Sequence, residues 1–300
     1  MASAASASAW EGSGIVPVAY TGTRIIHFSF GFFDAVMPPK MAAHVAGIRT
    51  DNPDFEVRVW GPVESRKVVA AVAPHLVALY DSFPWSIQRS DMSRYAILYA
   101  HGGMYADLDY MFNAPLAQVL HAALNGDVSD GNTASKTARN AAFVNETPNA
   151  TMFRRRASNS LMGARWPRHP FWLTVLQSIH RGTGLSRHAK VLSSAGPQAV
   201  DRALQTWRSN KTNRAPNAPA VYMAPKAVFN PCSICDRNAL TTSTRPGVLA
   251  VHANGGTWNS PLSRCYNTLA CEWPWAVVVV ALAVGVAVTA VYAARRCKQS

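Results

Sequence analysis

Residues Ser90 to Tyr110 read SDMSRYAILYAHGGMYADLDY, and the rest of the chain is organised around them. Met92, Tyr95, Ala96 and Tyr99 recur at helical spacing as one apolar stripe. Ser90 is placed to cap that helix, with Asp91 in its first turn. Asp91 and Arg94 are three residues apart and share another face. Gly102-Gly103 ends the helix and permits a tight reversal. Met104 to Asp109 then reads as a strand. Alternate residues of an extended segment point the same way, so Asp107 and Asp109 are expected to face together with Leu108 buried behind. Two carboxylates on one face repel unless a cation lies near them. Hard divalent ions such as Mg²⁺ or Mn²⁺ accept carboxylates, bridge to diphosphate oxygens and stabilise a nucleoside-diphosphate leaving group.

Working outward, Arg24 to Phe30 (RIIHFSF) is apolar and β-prone, a buried first strand in which His27 reads as a core histidine. Pro38-Pro39 opens a helix through about Arg49. Asn52-Pro53 turns the chain into Phe55 to Trp60 (FEVRVW), an alternating second strand, and a helix follows from Glu64 to Tyr80. Strand, helix, strand, helix is the start of an α/β sheet. Residues 121–140, rich in Asn, Asp, Gly, Ser and Thr, read as a mobile loop. Strands are expected at 141–145, 221–224 and 248–252, helices at 170–181 and 197–208, and a polar linker at 209–220.

The full chain has 300 residues, 49% of them hydrophobic and 15% charged, enough for one large domain with a sizeable core. Its 29 Lys and Arg against 16 Asp and Glu give a net charge of +13, which suits anionic partners. The basic residues are scattered, with Arg154-Arg155-Arg156 the longest run, so nucleic acid is not an expected partner. The twenty residues Trp275 to Ala294 (WAVVVVALAVGVAVTAVYAA) carry no charge and match the thickness of a bilayer. Trp273, Trp275 and Tyr292 stand at its ends as interfacial aromatics do, and Arg295, Arg296 and Lys298 follow. The expected organisation is a flexible leader at 1–20, a catalytic domain at 21–268, a transmembrane helix at 275–294 and a basic tail at 295–300. The tail favours a cytoplasmic C-terminus with the domain on the lumenal side. Met1 to Trp10 has no signal-peptide pattern, and a lone C-terminal span without one inserts after translation, leaving the domain cytosolic. Cys232, Cys235, Cys265 and Cys271 can form two disulfides in an oxidising compartment or, with less suitable spacing, a zinc site, and Cys297 beyond the span can be acylated. N-glycosylation triplets occur at Asn145, Asn149 and Asn210.

The pattern S-D-x-x-R-Y-x-x-L-Y-x-x-G-G-x-Y-x-D-x-D resembles the glycosyltransferases with a DXD sugar-binding region. That family includes yeast mannosyltransferases acting on glycans and on inositolphosphoceramide, with clostridial glucosylating toxins as a more distant version. All eleven positions are present: Ser90, Asp91, Arg94, Tyr95, Leu98, Tyr99, Gly102, Gly103, Tyr105, Asp107 and Asp109. The likeness extends to Arg24–His27, Asn52–Phe55 through Trp60, Arg168–Phe171, Ser194–Pro197 and His252–Trp258. It implies a GT-A-like nucleotide-sugar-binding fold and retention of anomeric configuration. It also implies that Asp107 and Asp109 are the catalytic pair that serves the metal and diphosphate, with His252 as a further metal contact. Phe30, Asp91, Arg94, Tyr105 and Trp258 would bind the donor. Relatives have Trp where Phe30 stands and a second His where Ala253 stands. Thr257 replaces their Ser.

The expected activity is therefore metal-dependent (Mn²⁺ or Mg²⁺) retaining transfer of mannose or another hexose. The donor would be GDP- or UDP-linked and the acceptor a glycolipid or glycan, in a single-pass protein of an endomembrane such as Golgi or ER, or an equivalent host membrane. The alternative is a non-catalytic membrane-anchored protein that binds nucleotide or glycan on the same scaffold.

Overall fold

The apolar run after Arg24 forms the first strand, β1 (Ile25–Ser29), buried along its centre as a strand with neighbours on both sides must be. The structure, a computed structural model, describes residues 20–34, 36–125, 140–147, 156–215, 217–231 and 246–253. From β1 the chain passes through α1 (Pro39–Asp51) to β2 (Glu56–Trp60), which pairs with β1 in parallel. It then crosses back over β1 through α2 (Pro62–Val72), α3 (Val77–Ser82) and α4 (Ser86–His101) to β3 (Gly103–Ala106), which pairs in parallel with the other edge of β1. Winding therefore changes direction between β1 and β3. In open α/β sheets that switch point, outside the carboxyl ends of the strands, is where ligands bind.

A short strand β4 (Tyr110–Phe112) and helix α5 (Leu116–Asn125) follow, then β5 (Ala141–Glu146) and β6 (Ala157–Ala164). Helices α6 (Phe171–Gln177), α7 (Arg187–Ser194) and α8 (Pro197–Ser209) lead to β7 (Ala220–Ala224), α9 (Lys226–Phe229) and β8 (Ala250–His252). The main sheet has the order β2-β1-β3-β6-β5-β7, parallel apart from β6. β4 and β8 form a separate antiparallel pair. Successive residues of the strands feed opposite faces: Tyr105, Ala142 and Val144 join Tyr95, Trp172 and Val200 on one side. Met104, Ala106 and Phe143 join Ile48, Leu120 and Phe229 on the other. This is a mixed α/β fold with a core on each face of one sheet.

Several elements differ from the sequence reading. The helix expected over 64–80 breaks at Pro74, which cannot supply the amide a continuous helix needs, into α2, a 3₁₀ turn at Pro74–Leu76 and α3. α4 starts at Ser86 rather than Ser90: the Gln88 side chain accepts from the Trp85 amide at 3.3 Å, so Ser90 and Asp91 lie inside the helix. Nearly every residue from Ile87 to Leu98 is buried, so α4 is a central helix and not an amphipathic one. Residues 121–125 belong to α5, not to a loop. β6 and α7 were not expected. The sequence of β6, ASNSLMGA, is poor in β-branched and aromatic residues, and its extended state comes from pairing on both sides. Gly163 in it is required by close packing, since a Cβ there would lie 2.5 Å from Phe143 Cε1. Asn145 is fully buried in β5, which closes that triplet to a glycan, and Asn149 lies outside the described residues. Among the described residues no helix is long and apolar enough to cross a membrane. The span 275–294 and all five cysteines lie outside the described residues.

His27 is fully buried, as a core histidine. Its Nε2 donates to the Gly102 carbonyl at 2.9 Å, and its Nδ1 accepts from the Trp60 indole at 3.1 Å. Accepting at Nδ1 requires the neutral ring. Burial lowers its pKa from 6.5 to about 3, and burial lowers that of His169 to about 4. In the unfolded chain both take up a proton as pH falls through 6.5, while the folded protein resists until much lower pH. Stability is thus full above pH 6.5 and falls as the medium is acidified from there toward pH 4, each ring contributing a slope of about 1.4 kcal/mol per unit. Urea unfolding across that window measures the slope. His27→Gln, whose amide keeps one donor and one acceptor, is expected to remove one ring's share, and an unchanged slope contradicts the assignment.

Candidate active site

The site is assembled where β3 ends. Gly102 and Gly103 both have positive φ, 67° and 74°, and a Cβ on Gly103 would come within 2.4 Å of the Ile25 carbonyl. Only glycine allows α4 to turn back at once into a strand pressed against β1. Because the reversal is immediate, α4 runs antiparallel to β3, and its Asp91–Arg94 turn lies level with the strand's far end. Asp91 and Arg94 are 4% and 3% exposed. Their side chains pair at 3.0 Å, and Arg94 Nη1 reaches Asp107 Oδ1 at 3.2 Å. The same Nη1 donates to the Asn159 carbonyl at 2.7 Å, and the guanidinium lies 4.6 Å from the centroid of the Tyr105 ring.

Asp107 and Asp109 are not on one strand face. β3 ends at Ala106, and residues 107–110 form a turn closed by the Tyr110 amide on the Asp107 carbonyl at 3.0 Å. The turn, rather than strand alternation, brings the two carboxylates together, with Leu108 only partly buried. His252 arrives by strand pairing: β8 lies antiparallel to β4 with His252 opposite Tyr110, and the Ala253 amide donates to the Asp109 carbonyl at 3.0 Å. His252 Nε2 is 2.9 Å from Asp109 Oδ1 and 3.8 Å from Asp107 Oδ2. One ligand atom from each of the three residues lies within 4.8 Å of the others. Metal–oxygen and metal–nitrogen bonds of about 2.0–2.4 Å set ligand atoms at most roughly twice that distance apart, so the spacing fits one cation.

Surrounding groups hold these three in place. Tyr105 Oη donates to Asp107 Oδ1 at 3.0 Å, and burial raises its phenol well above the usual value, so it remains a donor. Burial also raises the carboxyl pKa of Asp91 and of Asp107, while Arg94 pulls both back. The His252 ring stacks on Tyr110 with centroids 4.8 Å apart and planes 12° apart. Tyr110 Oη accepts from Asn145 Nδ2 at 3.0 Å and bonds Ser160 Oγ at 3.2 Å. Asn159 Nδ2 donates to Asp91 Oδ1 at 2.9 Å and to Tyr95 Oη at 3.2 Å, and Tyr95 donates to the Ala195 carbonyl at 2.7 Å.

Of the residues expected at the site, the structure therefore brings together Asp91, Arg94, Tyr105, Asp107, Asp109 and His252. Phe30 stands one residue past the end of β1, its amide bonded to the Trp60 carbonyl at 3.0 Å, at the same edge of the sheet. Trp258 lies outside the described residues. Tyr110, Asn145, Asn159 and Ser160 were not foreseen. The one signal for Asn159 and Ser160 was a run of polar residues, Ser158-Asn159-Ser160, beside an apolar stretch.

Residues 38–125 match the family described as "Glycosyltransferase sugar-binding region containing DXD motif". The chain is 31% identical over 160 residues to Inositol phosphoceramide mannosyltransferase 3 of Schizosaccharomyces pombe, covering 52% of this chain and 38% of that protein. Inositol phosphoceramide mannosyltransferase 2 of the same yeast is 26% identical over 173 residues, 57% of this chain and 42% of that one. An uncharacterized glycosyltransferase of Acanthamoeba polyphaga mimivirus is 27% identical over 195 residues, 64% of this chain and 65% of the viral protein. The chain thus spans less than half the length of the two yeast relatives. Among solved structures, one titled "PaToxG Glycosyltransferase" aligns at 15% identity over 62% of this chain and 69% of that chain with a TM-score of 0.38, too loose a likeness to carry residue roles across.

Proposed function

We propose that this protein is a metal-dependent, retaining glycosyltransferase that moves a hexose from a nucleotide-sugar donor to a membrane glycolipid. The observation that carries the reading is the convergence of Asp107, Asp109 and His252 within 4.8 Å at the switch point of the sheet, the two aspartates lying inside the matched region 38–125. Mannose leads the candidate sugars, with GDP or UDP as carrier, because the names of the yeast relatives specify a mannosyltransferase and an inositol phosphoceramide. That named lipid also supports an endomembrane location.

The two carboxylates and the imidazole suit Mn²⁺ somewhat better than Mg²⁺, since imidazole favours the transition metal. A cation there would supply counter-charge to the departing diphosphate. The protein's own groups would do the positioning. Asp107 is held by Arg94 and Tyr105, Asp109 is fixed by the turn and the β8 ladder, and the His252 ring is aligned by Tyr110. In this reading Asp91, Arg94 and Tyr105 form the floor of the donor pocket, Phe30 stacks on the base and Trp258 closes the site. The anomeric face is kept when the acceptor attacks from the side that the leaving diphosphate occupied.

Incubating the full chain in detergent with Mn²⁺, inositol-phosphate lipid and a panel of GDP- and UDP-hexoses tests this. Chelator-sensitive nucleotide release with a glycosylated lipid is the expected outcome. Donor binding without release from any pair moves the assignment to a non-catalytic binder.

A further inference from the structure

The stretch from Thr147 to Val200 contains eight Arg or Lys and no Asp or Glu. Within it, the loop leading into α7 holds Leu185 fully out in solvent, 106% exposed and the most exposed large hydrophobic side chain among the described residues. Exposed Arg181 and Arg187 flank it, and the Arg187 guanidinium lies 5.7 Å from the centroid of the Trp85 ring. The loop has a fixed shape. Gly182 and Gly184 take φ of 89° and 106°. The Thr183 amide donates to Ser193 Oγ at 2.8 Å, and that hydroxyl donates to the Thr183 carbonyl at 2.9 Å. The Ser186 hydroxyl caps α7 by accepting from the Ala189 amide at 3.1 Å. A braced backbone therefore projects one leucine from a cationic, aromatic collar.

The position of this tip is set by α4. Trp85 precedes α4, which runs antiparallel to β3, so the tip lies at the end of the sheet where β3 delivers Asp107 and Asp109. Phe33 and Val36, 51% and 81% exposed, follow the end of β1 at that same edge. We infer that this end of the molecule rests on an anionic lipid surface, with Leu185 in the headgroup layer and Arg181 and Arg187 against its phosphates. An apolar tip inside a basic collar is the chemistry of interfacial binding, whereas a nucleic-acid backbone has no place for the leucine. This inference goes beyond the transferase reading and does not depend on it.

Hydrogen–deuterium exchange of the full chain tests it, on vesicles of phosphatidylcholine with and without phosphatidylserine. The amides of Gly184 to Ser186 are expected to slow at least about threefold on the anionic vesicles only. Trp166, which packs beside Gly102 at the opposite end, should be unchanged. Each basic side chain near an anionic surface contributes a factor of about five in binding, so Arg181→Gln/Arg187→Gln is expected to weaken the docking about 30-fold and abolish the protection. Leu185→Ser, at a fully exposed position that folding does not need, is expected to reduce it as well. Equal exchange on both vesicle types, or the same protection from soluble heparin or polyglutamate, overturns the inference.

Discussion

An Asp109→Asn variant is expected to release nucleotide about a thousandfold more slowly than the parent protein, with a melting midpoint within a few degrees of it. Asn keeps the size of the side chain and one oxygen toward His252, so the turn and the β4–β8 pairing persist. What it loses is the charge that a divalent cation needs, and with it several kcal/mol of transition-state stabilisation, about 1.4 kcal/mol per factor of ten. Asp109 is the better probe of the pair. Asp107 also answers the buried Arg94, so its removal mixes a catalytic loss with a structural one. Turnover within a few-fold of the parent would remove Asp109 from the catalytic group.

Arg94→Met is expected to cost about 3–5 kcal/mol of stability, a fall of roughly 10 °C in the melting midpoint. Arg94 is 3% exposed and serves Asp91, Asp107 and the Asn159 carbonyl together. Its loss leaves a carboxylate buried beside Asn159 without its cation, and removing one partner of such a pair is far worse than removing both. Asp91→Asn added to Arg94→Met is therefore expected to recover part of the loss, even though it removes a further charge. Additive destabilisation in chemical unfolding would mean that the two side chains do not work as a unit. Because Arg94 holds Asp107, both variants should also bind metal more weakly.

The central part of this arrangement was legible in the sequence because it is local. The Gly-Gly reversal, the Asp–Arg pair two to three turns before it and the two aspartates beyond it fall within the nineteen residues from Asp91 to Asp109, and their spacing carries their geometry. The β1, β2, α1 and α8 elements were readable for the same reason, from runs of apolar residues and a leading proline. β6 was not, because its small and polar residues are extended only through pairing with β3 on one side and β5 on the other. That strand supplies Asn159 and Ser160, so the buried network behind Asp91 and Tyr110 was lost with it. The start of α4 was misplaced because Ser90 looks like a cap, whereas its role is inside a helix packed on all sides. The turn at 107–110 was read as a strand, which reached the right proximity of the two aspartates by the wrong geometry. His252 was indicated by resemblance, and no local pattern could have shown that β8 would place it over Tyr110.

Manganese binding followed by electron paramagnetic resonance tests the metal site most directly, comparing the full chain with Asp109→Asn in the presence of nucleoside diphosphate. The predicted result is one bound ion per parent chain, tightened by the nucleotide, and binding at least about tenfold weaker in the variant. Equal binding by both proteins, or none by the parent, contradicts the assignment of Asp107, Asp109 and His252 as a metal centre.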